Sequence, residues 1–190
     1  APVPEAPAPA TEVWTREPGV VLRGDAGPVT LPYLFTRLTI LRADSAGLLV
    51  QCAHCRGQPI GRVDTAKVVS RVREPRDAQP LDLADFALAV REAARRRDYE
   101  ALRGVMTPDF VHSLTGGEGA LPAIGAWRAH RFNDLALFPS LLDRGIANVA
   151  GGAIWAAPPD YAGALGYRDL RAGFRRGARG WEWIFLVRAD

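Results

Sequence analysis

Two cysteines, three histidines and a run of aromatic residues near the C-terminus are the side chains whose types and spacing could do chemistry. Cys52-Ala53-His54-Cys55 sets two thiols three positions apart with an imidazole between them. Four chemistries compete for it. A c-type haem needs histidine directly after the second cysteine, and Arg56 stands there instead. A redox-active dithiol belongs at a helix N-terminus, where the dipole lowers the thiol pKa. This pair follows the strand-like Leu48-Leu49-Val50-Gln51 and precedes Arg56-Gly57-Gln58-Pro59, which is turn chemistry. A zinc centre wants four ligands, yet the other histidines, His112 and His130, fall in the other half of the chain. The fourth chemistry, a Cys52–Cys55 disulfide across a hairpin tip, is the one expected. Residues flanking a two-residue hairpin turn lie about 5.5 Å apart, close enough to bridge. So short a loop gains little from closure entropy, and stiffening the tip is the expected effect. No metal and no cofactor are expected.

His112 is the one candidate for catalysis. It shares strand parity with Phe110, and beside Asp109 or Glu118 in an interior cavity it would serve as a base near neutral pH. A hydrogen-bonded structural histidine is the simpler reading. His130 follows Trp127 on an expected helix and should be exposed. In Trp155-Ala156-Ala157-Pro158-Pro159-Asp160-Tyr161 the prolines would hold Trp155 and Tyr161 as a rigid platform for a carbohydrate or peptide. The competing reading is core, because Trp181, Trp183, Phe185 and Val187 alternate as a buried strand should. No phosphate-binding loop, nucleophile elbow, zinc-protease helix or dinucleotide fingerprint is present, which lowers the expectation of an enzyme.

The elements that must position these residues fall into segments. Residues 1–11 carry four prolines among the first ten positions and read as an extended tether, suited to an exported protein of the periplasm or cell envelope. Residues 12–70 hold short β-rich runs separated by Gly, Pro and Asp, the pattern of a small barrel or sandwich. Within them Leu38 and Ile40 alternate with Arg37 and Thr39, as in a half-buried strand. Residues 71–81 contain Pro75 and Pro80 and read as a linker.

The pattern then turns helical. Asp82 can cap a helix with Leu83, Phe86, Ala87, Val90 and Ala94 inside and Arg91, Glu92 and Arg95 outside. A second short helix starts at Asp98 and stops at Thr107-Pro108, a strand follows from Asp109, and helices are expected over residues 119–130 and 134–144. Strands close the chain near residues 153–157 and 181–188. The expected fold class is an all-β small barrel followed by an α+β domain over residues 82–190.

Bulk charge points away from polyanions. The net charge of +3 rests on scattered arginines interleaved with carboxylates, and Lys67 is the single lysine. Arg95-Arg96-Arg97 falls where a helix should end, so nucleic acid is not an expected partner. No stretch approaches the roughly 18 apolar residues of a transmembrane helix.

Read together, Val21-Leu22-Arg23-Gly24-Asp25-Ala26-Gly27-Pro28, Thr30-Leu31-Pro32, the run Thr36-Arg37-Leu38-Thr39-Ile40-Leu41 and Gly61-Arg62-Val63 resemble a bacterial Src-homology-3-like domain. Arg62 stands where that family usually carries an aromatic residue. The resemblance implies a five-stranded barrel that contacts peptidoglycan or envelope proteins. The order of elements after residue 82, ending in Gly180-Trp181-Glu182-Trp183, resembles nuclear-transport-factor-two-like cone folds. A non-enzymatic envelope interaction module is therefore expected, with a cavity-type ligand site or a metal or redox role at Cys52 and Cys55 as alternatives.

Overall fold

The computed structural model describes residues 11–73, 81–113, 117–129, 133–163 and 167–188. Residues 1–10 of the expected tether (1–11), residues 74–80 of the expected linker (71–81) and His130 lie outside the described residues. The chain is a mixed, sheet-rich α+β protein, with four α-helices and an open sheet among the described residues.

Seven strands come first: β1 (Glu12–Thr15), β2 (Val20–Gly24), β3 (Gly27–Leu31), β4 (Leu34–Asp44), β5 (Gly47–Gln51), β6 (Ile60–Val63) and β7 (Val68–Val69). Helices α1 (Leu83–Arg96) and α2 (Tyr99–Val105) follow, then strands β8 (Met106–Ser113) and β9 (Gly117–Glu118). Next come α3 (Ala120–Arg128), α4 (Asp134–Asp143), β10 (Arg144–Val149), β11 (Ile154–Ala157), β12 (Arg171–Gly177) and β13 (Gly180–Val187).

The sheet runs in the order β3-β2-β6-β5-β4-β10-β11-β12-β13-β8-β9, with β1 branching from β4 and carrying β7. The eleven-residue β4 explains this continuity. It pairs β5 and β1, and at its start Leu34 and Thr36 pair with Ile146 and Arg144 of β10. Gly145 makes that approach possible: it holds φ at 110°, and a Cβ there would come within 2.9 Å of the Tyr33 side chain. Among the described residues β3 and β7 are the free ends of the N-terminal ladder and do not pair with each other.

Two buried clusters fill the molecule. The smaller gathers Val13, Val20, Leu22, Leu38, Val50 and Cys52 with neighbours from the first seven strands. The larger lies between the helices and the C-terminal strands, and it also takes Trp14, Leu34, Phe35 and Val69 from the N-terminal half. Phe35 reaches it by adopting φ 60°, a conformation bulky residues rarely take. That breaks the strand alternation, so Leu34, Phe35 and Thr36 are all buried and Phe35 stacks on Trp14 at 5.7 Å.

Local chemistry sets the helix ends. The Asp82 carboxylate accepts the backbone N–H of Asp85, capping α1, and Arg97 closes it in the left-handed conformation. Asp98 caps α2 through the N–H of Ala101. The exposed face expected of α1 needs correction: Arg91 is only 7% exposed, because its guanidinium turns inward to a buried carboxylate on α4.

The interior of the C-terminal half is aromatic. Phe110, Trp127 and Phe138 surround the fully buried Trp183 at ring-centre distances of 4.9, 5.8 and 4.7 Å. The expected single face of Trp181, Trp183, Phe185 and Val187 is not kept. Register shifts at Gly173/Phe174 and Trp183/Phe185 turn the strand part-way along. Trp183, Leu186 and Val187 are buried, whereas Trp181 and Phe185 are half-buried. The Phe185 ring lies across Gly173, where a Cβ would sit 2.2 Å from it.

Candidate functional site

A cleft of about 710 Å³ opens on the N-terminal strands. Its walls include Val21, Arg23, Arg62, Asp64, Glu17 and Lys67. Arg23 of β2 and Arg62 of β6 are direct cross-strand neighbours, so both side chains leave the sheet on the same face. Arg62 is held: its two terminal nitrogens donate to the two oxygens of Asp44 at 2.8 and 2.9 Å. The Arg62 bonds, then the Ala46 backbone N–H, pull the Asp44 carboxyl down to about 2. Lys67 pairs with Glu17 at 2.5 Å, which raises its ammonium pKa. Among the described residues the Arg23 side chain has no hydrogen-bond or ion-pair partner. Smaller clefts of about 270 and 250 Å³ lie over Trp127 and Leu135 and over Tyr167 and Leu170.

Away from the residues lining the cleft, a carboxylate joins the two halves. Asp143, last residue of α4, is 6% exposed. Its Oδ1 accepts from Trp14 Nε1 and Arg91 Nε, both at 2.8 Å. Its Oδ2 accepts from Arg91 Nη2 at 3.0 Å and Arg37 Nη1 at 3.4 Å. The Arg91 guanidinium also lies over the Trp14 ring, 4.7 Å from its centre. Arg16 reaches across in the same way, meeting Asp82, which caps α1, and Asp85 in its first turn. Composition could not locate this joint, but one signal was present. An acid at the C-terminal end of a helix opposes the dipole and calls for a compensating cation.

The structure brings Cys52 and Cys55 together at sulfur–sulfur bonding distance, with Cα atoms 5.4 Å apart. The expected two-residue hairpin turn is absent. The β5–β6 ladder ends at Gln51 and Ile60, Cys52 N–H donates to Pro59 O, and both cysteines sit inside the connecting loop. A turn within it, Cys55 N–H to Cys52 O at 3.3 Å, brings the pair close. Cys52 is fully buried in the smaller cluster and Cys55 packs against it. His54 is pushed below its ordinary pKa by desolvation, then by Arg37 and Arg144, with Asp143 opposing.

His112 lies half-buried on β8 against Gly117 of β9, where a Cβ would come within 2.6 Å of the ring. Its Nδ1 is buried without a hydrogen-bond partner among the described residues, and desolvation lowers its pKa. Of the two carboxylates offered as its companions, Asp109 and Glu118, Asp109 lies 3.8 Å from Arg175. Trp155 and Tyr161 occupy different settings. Trp155 packs against the large cluster, while Tyr161 contacts Tyr167 and Phe185 edge-on and carries the Arg171 guanidinium 5.2 Å from its ring centre.

No family model and no curated protein matches this chain. Among solved structures it is similar to a nuclear-transport-factor-two-like protein with a cystatin-like fold from Novosphingobium aromaticivorans. The similarity covers 57% of this chain and 89% of that one, at 20% identity and a TM-score of 0.28.

Proposed function

We propose that this chain is a non-enzymatic docking module of the cell envelope, exported, with its N-terminal strands acting as a Src-homology-3-like unit. One observation carries the reading: Arg23 and Arg62 stand side by side in the 710 Å³ cleft, and Arg23 has no carboxylate of its own. An arginine binds carboxylates through two parallel hydrogen bonds. The cleft therefore suits an extended, carboxylate-bearing peptide. The peptide stems of cell-wall polymer have that chemistry and fit the tether-like composition of residues 1–10. In this reading the C-terminal half holds the docking unit in place through the Asp143 joint.

Co-sedimentation with purified cell wall tests it, run beside a pull-down from envelope extract. Wild-type protein should be retained on the wall, and Arg23→Glu should release it without changing the unfolding midpoint. Retention on neither material would overturn the docking reading.

A further inference from the structure

Cys52, His54 and Cys55 stand apart from the docking cleft, and their geometry carries a second use. Their four candidate donor atoms, two sulfurs and the two ring nitrogens of His54, belong to one short loop. One ligand atom from each residue falls within a 4.8 Å span. His54 Nδ1 and Nε2 lie 3.8 and 3.7 Å from Cys52 Sγ. Two ligands of a tetrahedral zinc, one sulfur at about 2.3 Å and one nitrogen at about 2.05 Å, are separated by about 3.6 Å. The imidazole is thus already at ligand spacing from Cys52. Two thiolates on the same ion stand about 3.8 Å apart, which side-chain rotation can reach from Cα atoms 5.4 Å apart.

We infer that opening the Cys52–Cys55 disulfide converts this loop into a three-ligand site for a thiophilic divalent cation such as Zn²⁺, with His54 as third ligand and the fourth position open to solvent. The reductant is a dithiol. Its thiolate attacks Sγ of Cys55, the less buried residue of the pair, and the electron pair of the broken S–S bond leaves on Sγ of the buried Cys52. The second thiol of the reductant resolves the mixed disulfide. The reductant departs as its own disulfide, two electrons have moved, and its two protons reside on Cys52 and Cys55. Metal binding then releases those protons to solvent. Two thiolates neutralise the divalent charge, and a neutral imidazole completes the set. Asp143 is not a fourth ligand, because both its oxygens are occupied by Trp14, Arg91 and Arg37.

The experiment uses the full chain, oxidised or reduced with a phosphine that is then removed. Each form is titrated with Zn²⁺, and with Co²⁺ as a spectroscopic stand-in. The reduced protein should take up one equivalent and show thiolate-to-cobalt charge-transfer absorption, and the oxidised protein should show none. His54→Ala should weaken binding on the order of 10- to 100-fold or more, since even supporting residues of metal sites matter that much. Cys55→Ser should abolish the charge-transfer band. No stoichiometric uptake by the reduced chain would overturn the site, and equal affinity in His54→Ala would overturn the ligand set. If reduction loosens the fold, Zn²⁺ should raise the unfolding midpoint of the reduced chain with increasing concentration. A midpoint indifferent to Zn²⁺ would then overturn it.

Discussion

Arginine–carboxylate pairs occur at both ends of the N-terminal half, and they do opposite work. At the joint, Asp143 and Arg91 are 6% and 7% exposed and every Asp143 oxygen is committed. At the cleft, Arg62 and Asp44 make an equally good fork on the surface, where water screens it. The same chemistry is shielded from water at the joint and exposed to it at the cleft. The difference teaches where to look for function in this molecule. Saturated charges hold the halves together, and the unsaturated Arg23 marks the side left open.

Breaking the joint should have the largest effect. Asp143→Ala strands the Trp14 indole N–H and leaves the buried Arg91 with Glu92 as its remaining carboxylate, and should cost about 3 kcal/mol in denaturant unfolding. An apolar replacement of both partners, Asp143→Leu with Arg91→Met, should recover most of that loss. A cost for Asp143→Ala below about 1 kcal/mol, the range of surface pairs, would erase the distinction between joint and cleft.

Opening the tip disulfide should come next. Closure entropy for so short a loop is worth about 2 kcal/mol, so Cys52→Ala with Cys55→Ala should lower the unfolding midpoint accordingly. A larger loss would show that Cys52 packing, not the covalent link, stabilises that corner.

Mild acid should act through His112. Desolvation holds its pKa in the fold below the ordinary value of 6.5. The unfolded chain therefore binds the proton first. The His112 contribution is complete above about pH 6.5 and is lost as pH falls toward its lowered native value. His112→Gln should flatten that part of the stability profile, measured by unfolding between pH 8 and 5. An unchanged slope would place the titration elsewhere.

The smallest expected stability effect is at the cleft. Asp44→Asn should lower the unfolding midpoint at neutral pH only slightly, because the pair is exposed. Its contribution belongs above the ordinary carboxyl value of 3.8 and fades as pH falls toward about 2. A marked loss of stability at neutral pH would make the cleft structural like the joint.

Elements governed by near neighbours were legible along the chain. The Asp82 cap, the Asp98 start of α2 and strands β2, β4, β5, β6, β11 and β13 follow from capping chemistry and short β-rich runs, whereas β10, which pairs with β4, was not foreseen. The spacing of Cys52 and Cys55 likewise announced a local pairing. Less legible were β1, β3 and β7, whose short or glycine- and proline-bearing runs show little alternation. The cleft was not read from the sequence. Arg62 stood out as an arginine in an aromatic position, while its neighbour Arg23 waited on the β2–β6 register.

What the sequence by itself determined, then, was the set of local units: capped helices, alternating strands and a cysteine turn, all specified within about one helical turn of chain. Tertiary structure alone decided their meaning. Asp143 finds Trp14 from 129 positions away and Arg91 from 52, and β4 continues into β10 across a whole helical segment. A buried charge is stable only beside its partner, and which arginine becomes that partner depends on how the whole chain pairs. The same logic holds at the cleft, where strand register, not residue type, leaves Arg23 beside an arginine already taken.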